Sequence, residues 1–412
     1  MSAAVTQEDR IPGYAWVVVW IAWLVLIVGT IGNFAIGTML PSLQEDIGFG
    51  TVEAGWLSGI GWLLTSALTI PITFIVTRVR PKTVLVVVFL VVGAAWILQG
   101  TANSFPVLFI TRALGVGMTA AIMPALVLLK QQWVPLSKMA AVNGVEAFTN
   151  PVGQILGTAL VPVLIASLQG WRPIVFAIGG VVLGLALLWV LFGREQRSEA
   201  FEKAWNDRTV SPIREALKEK SVWLLALGWP GTSLVWIAMF TFWPTYAVEK
   251  LGLEMTQAGF VLSALPIGSM VASLIAPWMA DKLGYDKPMI WAWGFVLPLF
   301  YFMMLPTSSV AVATIASFLA GFGAFAFVPV AFTLLYKLPG INPKTIAMGT
   351  GIIITIATLG ATAGGVLSGV LAERLGNLYM ALAICCLSPL TMGICGLFLP
   401  ETGRKAMEKG AS

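Results

Sequence analysis

Histidine is absent from this chain of 412 residues, and charged residues make up only 10% of it. Without histidine, zinc-hydrolase motifs, histidine-based catalysis and histidine pH switches are excluded. Hydrophobic residues make up 58% of the chain, and the mean hydropathy is +0.90. Because a water-facing surface needs far more charge than this, the composition excludes a soluble globule and predicts an integral membrane protein.

Cysteines and nucleotide-binding motifs are also scarce. All three cysteines, Cys385, Cys386 and Cys395, lie in the last apolar segment, so we predict neither a disulfide framework nor a metal site. No GxxxxGK[ST] motif occurs, so the chain is not predicted to hydrolyse ATP. We expect no enzyme activity and no cofactor. A multi-pass membrane enzyme, which usually needs clustered acids or histidines near the membrane surface, is the remote alternative.

Twelve apolar stretches are long enough to cross a bilayer, which takes about 20 residues each. The predicted fold class is therefore all-α, with twelve transmembrane helices. The first stretch runs to about Leu40, which is too long for a cleavable signal core, so it is predicted to be a span. The stretches begin near Tyr14, Val52, Thr83, Phe105, Met139, Pro173, Val222, Gln257, Pro288, Val310, Thr345 and Leu378.

Lysine and arginine are distributed unequally between the two sets of loops. Only Arg172, Lys250 and Arg374 fall in loops on the side opposite the N-terminus, whereas nearly all the others fall on the N-terminal side. The positive-inside rule therefore predicts that both termini are cytoplasmic and that the chain lies in the inner membrane. This topology accounts for the net charge of +5, so the expected partner is the lipid bilayer and no nucleic acid.

The longest polar interval divides the chain nearly in half. It predicts a six-helix bundle over residues 1–193, a cytoplasmic linker over 194–220 and a second six-helix bundle over 221–412. Within the linker, a short surface helix is predicted through Ile213, because Ser-Pro before it is a good N-cap and first-turn pair.

The two halves share features at matching positions. Ala54-Gly55 near the start of the second span corresponds to Ala258-Gly259 near the start of the eighth, and Gly115-Val-Gly117 corresponds to Gly321-Phe-Gly323. A six-plus-six repeat with both termini on one side predicts two bundles related by a pseudo-two-fold axis along the membrane normal. Such an arrangement puts a substrate site between the halves near the midplane.

Four stretches resemble motifs of the major facilitator superfamily of secondary transporters. The first departs from the family's GxxxDRxGRR loop motif, because Thr77 replaces the acid and Arg80 replaces the glycine. The stretches are Thr73 to Lys82 with Arg78, its repeat copy Pro277 to Asp286 with Asp281, Lys282 and Gly284, Arg112 with Gly115 and Gly117 in the fourth span, and Asn150-Pro151 with Gly153 and Gly157 in the fifth.

The resemblance implies the major facilitator fold and transport by alternating access. It also implies a cytoplasmic latch formed by Asp281, Lys282, Gly284 and Arg78. In the family the arginine of the fourth span is tied to proton coupling, and the resemblance carries that role to Arg112. A structural role, with the arginine held by backbone carbonyls or a polar neighbour, is the alternative for Arg112. We expect a monomer.

The fifth span carries four amide or carboxyl side chains, Asn143, Glu146, Asn150 and Gln154. Their spacing of 3, 4 and 4 residues puts them within one stripe of roughly 80° at about 100° per residue. Such a stripe is unfavourable against lipid, so it is predicted to face a water-filled cavity or a helix–helix seam. Glu146 is a candidate to load and release protons. Because Glu146 and Arg112 are predicted at different depths in the membrane, both a direct ion pair and separate roles stay open.

Asn33 in the first span and Trp236 in the seventh complete the candidate residues for substrate or coupling. The predicted substrate is a small organic solute or anion, moved with a proton or a counter-solute. The run Lys337 to Lys344 is similar to that of cyanate-type permeases, which favours a small solute. A proton-driven polyspecific drug efflux antiporter is the alternative. Uptake and efflux are not distinguished by the sequence.

Overall fold

The computed structural model describes residues 13–76, 79–134, 142, 145–146, 148–194, 213–337, 343–403 and 405. Helices account for nearly all of this part of the chain, and no strand occurs within it. Ten of its helices are long and apolar enough to cross a membrane. Thr51–Val76 and Lys287–Met303, of 26 and 17 residues, occupy the positions of the second and ninth predicted spans. The all-α, two-bundle membrane fold is thereby confirmed.

The N-terminal half contains spans one to six. The predicted start of the fifth span, near Met139, lies outside the described residues. The helices are Gly13–Phe34 with Ile36–Ile47 in the first span, Thr51–Val76 in the second, Pro81–Gly100 in the third, Phe105–Thr119 with Ile122–Trp133 in the fourth, Thr149–Ile155 and Val161–Leu168 in the fifth, and Arg172–Phe192 in the sixth. In the fifth span a π-helical segment, Leu156–Leu160, joins the two helices.

The C-terminal half follows a short helix, Ile213–Lys218, which agrees with the helix predicted in the linker. Spans seven to twelve then repeat the order of the first half. The helices are Lys220–Leu251 in the seventh span, Met255–Leu283 in the eighth, Lys287–Met303 in the ninth, Val310–Ala326 with Val328–Lys337 in the tenth, Pro343–Leu375 in the eleventh, and Leu378–Cys386 with Leu390–Leu397 in the twelfth.

Proline and glycine set many of these helix ends. Pro81 and Pro173 stand in the first turns of the third and sixth spans, where a missing N–H costs no hydrogen bond. Gly252 and Gly284 end the seventh and eighth spans with positive φ angles of 69° and 77°. Only glycine adopts this conformation without a Cβ penalty, so the chain stops each helix there.

Each half packs its own apolar core. In the N-terminal half Phe89 and Trp189 are almost fully buried between the third and sixth spans, and in the C-terminal half Trp243 and Tyr301 are buried between the seventh and ninth. Large side chains such as Ile110 remain exposed on the outside of the bundle. Outward-facing apolar residues are what a lipid surface requires.

The two halves meet closely at their predicted outer ends, where glycines allow backbone to touch backbone. A Cβ added at Gly365 of the eleventh span would lie 2.7 Å from the carbonyl oxygen of Gly55 in the second. A Cβ at Gly37 would collide with the carbonyl group of Phe240, which lies in the seventh span. These contacts close the predicted outer side and leave space between the halves toward the predicted cytoplasmic side.

Candidate functional site

A cavity of about 420 Å³ lies between the two halves, at the middle of the spans and toward the predicted cytoplasmic side. Its size is within the usual range of small-molecule sites, about 300–1,000 Å³. Both halves contribute to its wall. The lining residues include Phe34, Trp62, Asn150 and Gln154 from the N-terminal half, and Trp229, Thr232, Trp236, Ser269, Ser273, Phe325 and Thr358 from the C-terminal half.

Two members of the predicted polar stripe of the fifth span line this cavity. The Nε2 atom of Gln154 donates a hydrogen bond of 2.8 Å to Oδ1 of Asn150, one helical turn earlier. The Oε1 atom of Gln154 is buried and has no hydrogen-bond partner within the described residues. Asn143, the first member of the stripe, lies outside the described residues. The cavity wall therefore contains a hydrogen-bonded amide pair in which Oε1 of Gln154 is still available as an acceptor.

Glu146, the remaining member of the stripe, is buried in an ion pair. Its Oε1 atom lies 2.6 Å from Nζ of Lys130 in the fourth span, and the two residues are 8% and 4% exposed. The second carboxylate oxygen, Oε2, is buried without a hydrogen-bond partner among the described residues. The two charges cancel inside the N-terminal half.

The position of Lys130 corrects the sequence analysis, which assigned this lysine to the loops on the cytoplasmic side. After a break near Ala120, the fourth span continues as the helix Ile122–Trp133, beyond its most apolar stretch. This second helix carries Lys130 into the bundle, where the carboxylate of Glu146 compensates the cost of burying the ammonium group.

Arg112 is 3% exposed and is held by backbone carbonyls. Its Nε donates a hydrogen bond of 2.9 Å to the carbonyl of Leu57, and its Nη2 lies 3.5 Å from the carbonyl of Asn33. The Nη1 atom is buried without a partner, and no carboxylate within the described ranges lies within ion-pair distance of the guanidinium. Arg112 therefore does not pair with Glu146, and among these residues its guanidinium has no carboxylate counter-ion, while its Cζ lies 6.0 Å from the ring centroid of Trp96.

A second, smaller cavity of about 20 Å³ adjoins the first and has room for one water-sized group. Asn33, Ser58 and Thr241 line it, and it shares Phe34 and Trp62 with the larger cavity. The hydroxyl of Ser58 is buried without a hydrogen-bond partner in the described chain. The guanidinium of Arg112 binds the carbonyl of Asn33, which lines this pocket, and that of Leu57, which precedes Ser58, so it packs against the lining of the pocket without being part of it.

Trp236 lines the larger cavity together with two tryptophans that sequence reasoning missed, Trp62 and Trp229. A membrane tryptophan is by default assigned to the interfacial belt, and the sequence alone gives no sign of which helices enclose a cavity. The missed residue with the clearest signal was Lys130, because it shares the helical face of Arg112.

The repeat copy of the loop motif lies at the end of the eighth span. Asp281 and Lys282 are exposed, and Nζ of Lys282 lies 5.0 Å from the ring centroid of Trp278. The carbonyl of Gly284 accepts a hydrogen bond of 3.1 Å from the backbone N–H of Lys405, so the C-terminal segment packs on this turn. Arg78, the fourth predicted latch residue, lies outside the described residues.

Comparison with known proteins identifies the scaffold. The family model described as Major Facilitator Superfamily matches residues 22–350. The chain belongs to the major facilitator superfamily. It is therefore a secondary transporter and a multi-pass membrane protein, not an enzyme, and it moves a small molecule together with a coupling ion or counter-solute.

Individual relatives are distant. A protein of Agrobacterium vitis named as a putative tartrate transporter is 22% identical, with 93% of each chain covered. A probable sulfoacetate transporter of Cupriavidus necator is 25% identical over 63% of each chain, and the nitrite extrusion protein of Bacillus subtilis is 25% identical over 63% of this chain and 64% of its own.

Solved structures show the same fold at lower identity. A bacterial homologue of the human lysosomal transporter Spinster, in an inward-facing and unoccupied conformation, superposes with a TM-score of 0.76 at 16% identity, covering 94% of this chain and 95% of the other. A nucleoside transporter gives a TM-score of 0.76 at 10% identity, covering 94% and 98%. Transporters named for different functions thus share this architecture.

Proposed function

We propose that this protein transports a small organic anion by alternating access and couples that movement to protons. The observation that carries the proposal is the buried guanidinium of Arg112, which has no carboxylate partner within the described residues. Burying a charge without a counter-ion costs free energy. An anion bound next to the guanidinium supplies the missing negative charge and is thereby stabilised. Relatives named for tartrate, sulfoacetate and nitrite support an anion as the substrate.

The route to the arginine runs through the cavity. Asn33 and Ser58 line the small pocket, and the guanidinium binds the carbonyls of Asn33 and of Leu57, which precedes Ser58. An anion entering the larger cavity from the predicted cytoplasmic side would find the positive charge at its closed end. Asn150 and Gln154 offer further polar contacts on the way, and Trp236 forms part of the wall.

For coupling, we assign the proton to the ion pair between Glu146 and Lys130. Protonation of Glu146 removes the negative charge that lies 2.6 Å from Nζ of Lys130. That change alters the packing energy between the fourth and fifth spans, because an uncompensated buried charge costs several kcal/mol. The proton therefore biases the equilibrium between the two access states.

The remaining assignments of the sequence analysis belong to the same proposal. Both termini are taken to be cytoplasmic in an inner membrane, the protein to be a monomer, and the two bundles to span residues 1–193 and 221–412. Asp281, Lys282, Gly284 and Arg78 are taken to latch the cytoplasmic side when the carrier faces outward. Exposed Asp281 at the end of the eighth span is accessible for such a contact.

Reconstituted protein with a panel of labelled solutes tests the proposal. The panel contains dicarboxylates, monocarboxylates, inorganic anions and organic cations, each assayed with and without an imposed pH gradient. We expect saturable movement of an organic anion that accelerates when a pH gradient is imposed. Movement of organic cations alone, against a proton gradient, would replace this account with the drug efflux alternative.

A further inference from the structure

The wall of the larger cavity is aromatic on both sides of the interface between the halves. Trp62 packs against Phe34, with ring centroids 6.2 Å apart, and Trp236 packs against Phe325, with centroids 5.2 Å apart. Trp236 stands near the middle of Lys220–Leu251, well away from the interfacial belts in which membrane tryptophans usually lie. Flat aromatic faces at this depth favour a solute with a flat, apolar body.

Five polar groups of the same cavity present hydrogen-bond acceptors. Each of four lining hydroxyls donates its single proton to a carbonyl of its own helix at 2.8 Å, namely Thr232, Ser269, Ser273 and Thr358. A hydroxyl used in this way presents only lone pairs to a ligand. Oε1 of Gln154 adds a further buried acceptor. The larger cavity therefore offers several acceptors to a solute that carries an N–H or O–H donor.

The small pocket at the closed end differs from the larger cavity. The hydroxyl of Ser58 lines it, is buried, makes no hydrogen bond within the described residues and can donate one. Arg112 does not line the pocket, but its guanidinium binds the carbonyl of Asn33, which does, and that of Leu57, which precedes Ser58. The pocket admits a single water-sized group, which matches one oxygen of a carboxylate.

We propose that the transported solute is a hydroxy-substituted aromatic monocarboxylate. Its carboxylate reaches Ser58 and the field of Arg112, its ring lies between Trp62 and Trp236, and its hydroxyl donates toward Gln154 and the lining hydroxyl oxygens. This assignment rests on the proposed function and names the substrate class of the same cavity. It separates this chain from the relatives named for tartrate and nitrite, since neither of those anions has an apolar ring.

Counterflow of radiolabelled 4-hydroxybenzoate into liposomes containing the purified protein tests the assignment. Three competitors each remove one feature: cyclohexanecarboxylate lacks the aromatic ring, benzoate lacks the hydroxyl donor, and 4-hydroxybenzamide lacks the charge. We expect saturable counterflow and weaker competition by each of the three, by about tenfold for a lost contact of about 1.4 kcal/mol. Tartrate is expected not to compete.

Substitutions in the wall separate recognition from folding. Trp236→Leu and Trp62→Leu should raise the half-saturating concentration of 4-hydroxybenzoate by about tenfold or more, whereas Trp236→Phe should recover most of the loss. Trp223→Leu removes an exposed tryptophan of the same seventh span and should leave transport unchanged. Thermal melting of each purified variant identifies any that fail to fold.

The outcomes distinguish this assignment from the broader proposal. Saturable transport of tartrate or another anion, with no transport of and no competition by 4-hydroxybenzoate, would overturn the aromatic assignment and leave organic anion transport standing. Unchanged half-saturation in both leucine variants, with 4-hydroxybenzoate still transported, would also overturn it. Failure of every organic anion in the panel would remove both.

Discussion

Nζ of Lys130 lies 2.6 Å from Oε1 of Glu146, and both residues are buried inside the N-terminal half. The pair joins the fourth span to the fifth on the predicted cytoplasmic side of the polar stripe. Because the two charges compensate each other, removing the Lys130 side chain takes the counter-charge away from the buried carboxylate of Glu146, whereas neutralising both side chains does not leave that charge behind. A comparison of the stability of the single and double variants therefore tests the pair.

Lys130→Met should destabilise the purified protein by about 3–5 kcal/mol, the usual cost of leaving a buried charge unpaired. The double variant Lys130→Met with Glu146→Gln should recover most of that loss, because no charge remains. Thermal melting in detergent measures both. The control is Lys250→Met, which changes an exposed lysine. Equal melting of the single and double variants would show that the pair contributes little to the fold.

The glycine contacts on the predicted outer side should control closure. Gly37→Ala places a methyl group against the carbonyl of Phe240, and overpacking of this kind costs about 1–3 kcal/mol. We expect a shift toward the outward-open state and slower transport. Gly29→Ala is the matched control, since a Cβ at this position of the same span has no neighbour within 4 Å.

A cysteine introduced at Ser58 reports that shift. In a background without Cys385, Cys386 and Cys395, an impermeant thiol reagent added outside should label this cysteine faster in the Gly37→Ala variant than in the parent. The same rate in the Gly29→Ala variant and in the Gly37→Ala variant would mean that Gly37 does not hold the outer side closed.

Topology is testable with the same reagent. Cysteines at Ser104 and Ser308, which are exposed at the predicted outer ends, should react in sealed cells. Cysteines at Ser137 and Ser211, in the predicted cytoplasmic loops, should react only after permeabilisation. Labelling at Ser211 in sealed cells would reverse the assigned orientation.

The two copies of the loop motif differ in their acid. Asp281 keeps the acidic residue, whereas Thr77 replaces it in the first copy. Asp281→Asn should therefore slow transport several-fold, while Thr77→Ala should have little effect. Transport assays in liposomes, normalised to the amount of folded protein, compare the two. Equal slowing in both variants would make the first copy the working latch.

The sequence predicted the helices well and the contacts between them poorly. Hydrophobic runs of fixed length predict where spans begin, and the described helices start within a few residues of those positions except in the fifth span, whose predicted start lies outside the described residues. Of the stripe predicted in the fifth span, Asn150 and Gln154 line the cavity, whereas Glu146 is paired with Lys130. Which neighbouring helix faces a polar residue depends on tertiary packing, and a single sequence does not encode it in any periodic signal.

Lys130 and Trp62 illustrate the two kinds of residue that were missed. Lys130 follows the apolar stretch of the fourth span, so a hydropathy boundary assigned it to a loop, although its helix continues to Trp133. Trp62 is one of 17 tryptophans, and nothing in its local sequence separates a cavity wall from an interfacial belt. In both cases burial by another span decides the environment of the side chain.

Glu146→Gln tests the coupling claim most directly, because glutamine keeps the shape of the side chain and cannot titrate. The double variant with Lys130→Met serves as the fold-matched comparison. In liposomes with an imposed pH gradient, the organic anion identified by the panel should accumulate with the parent protein and reach only equilibrium with Glu146→Gln and with the double variant, while exchange of the same anion continues in the double variant. Accumulation at the parent level in the double variant would contradict the assignment of the proton to Glu146.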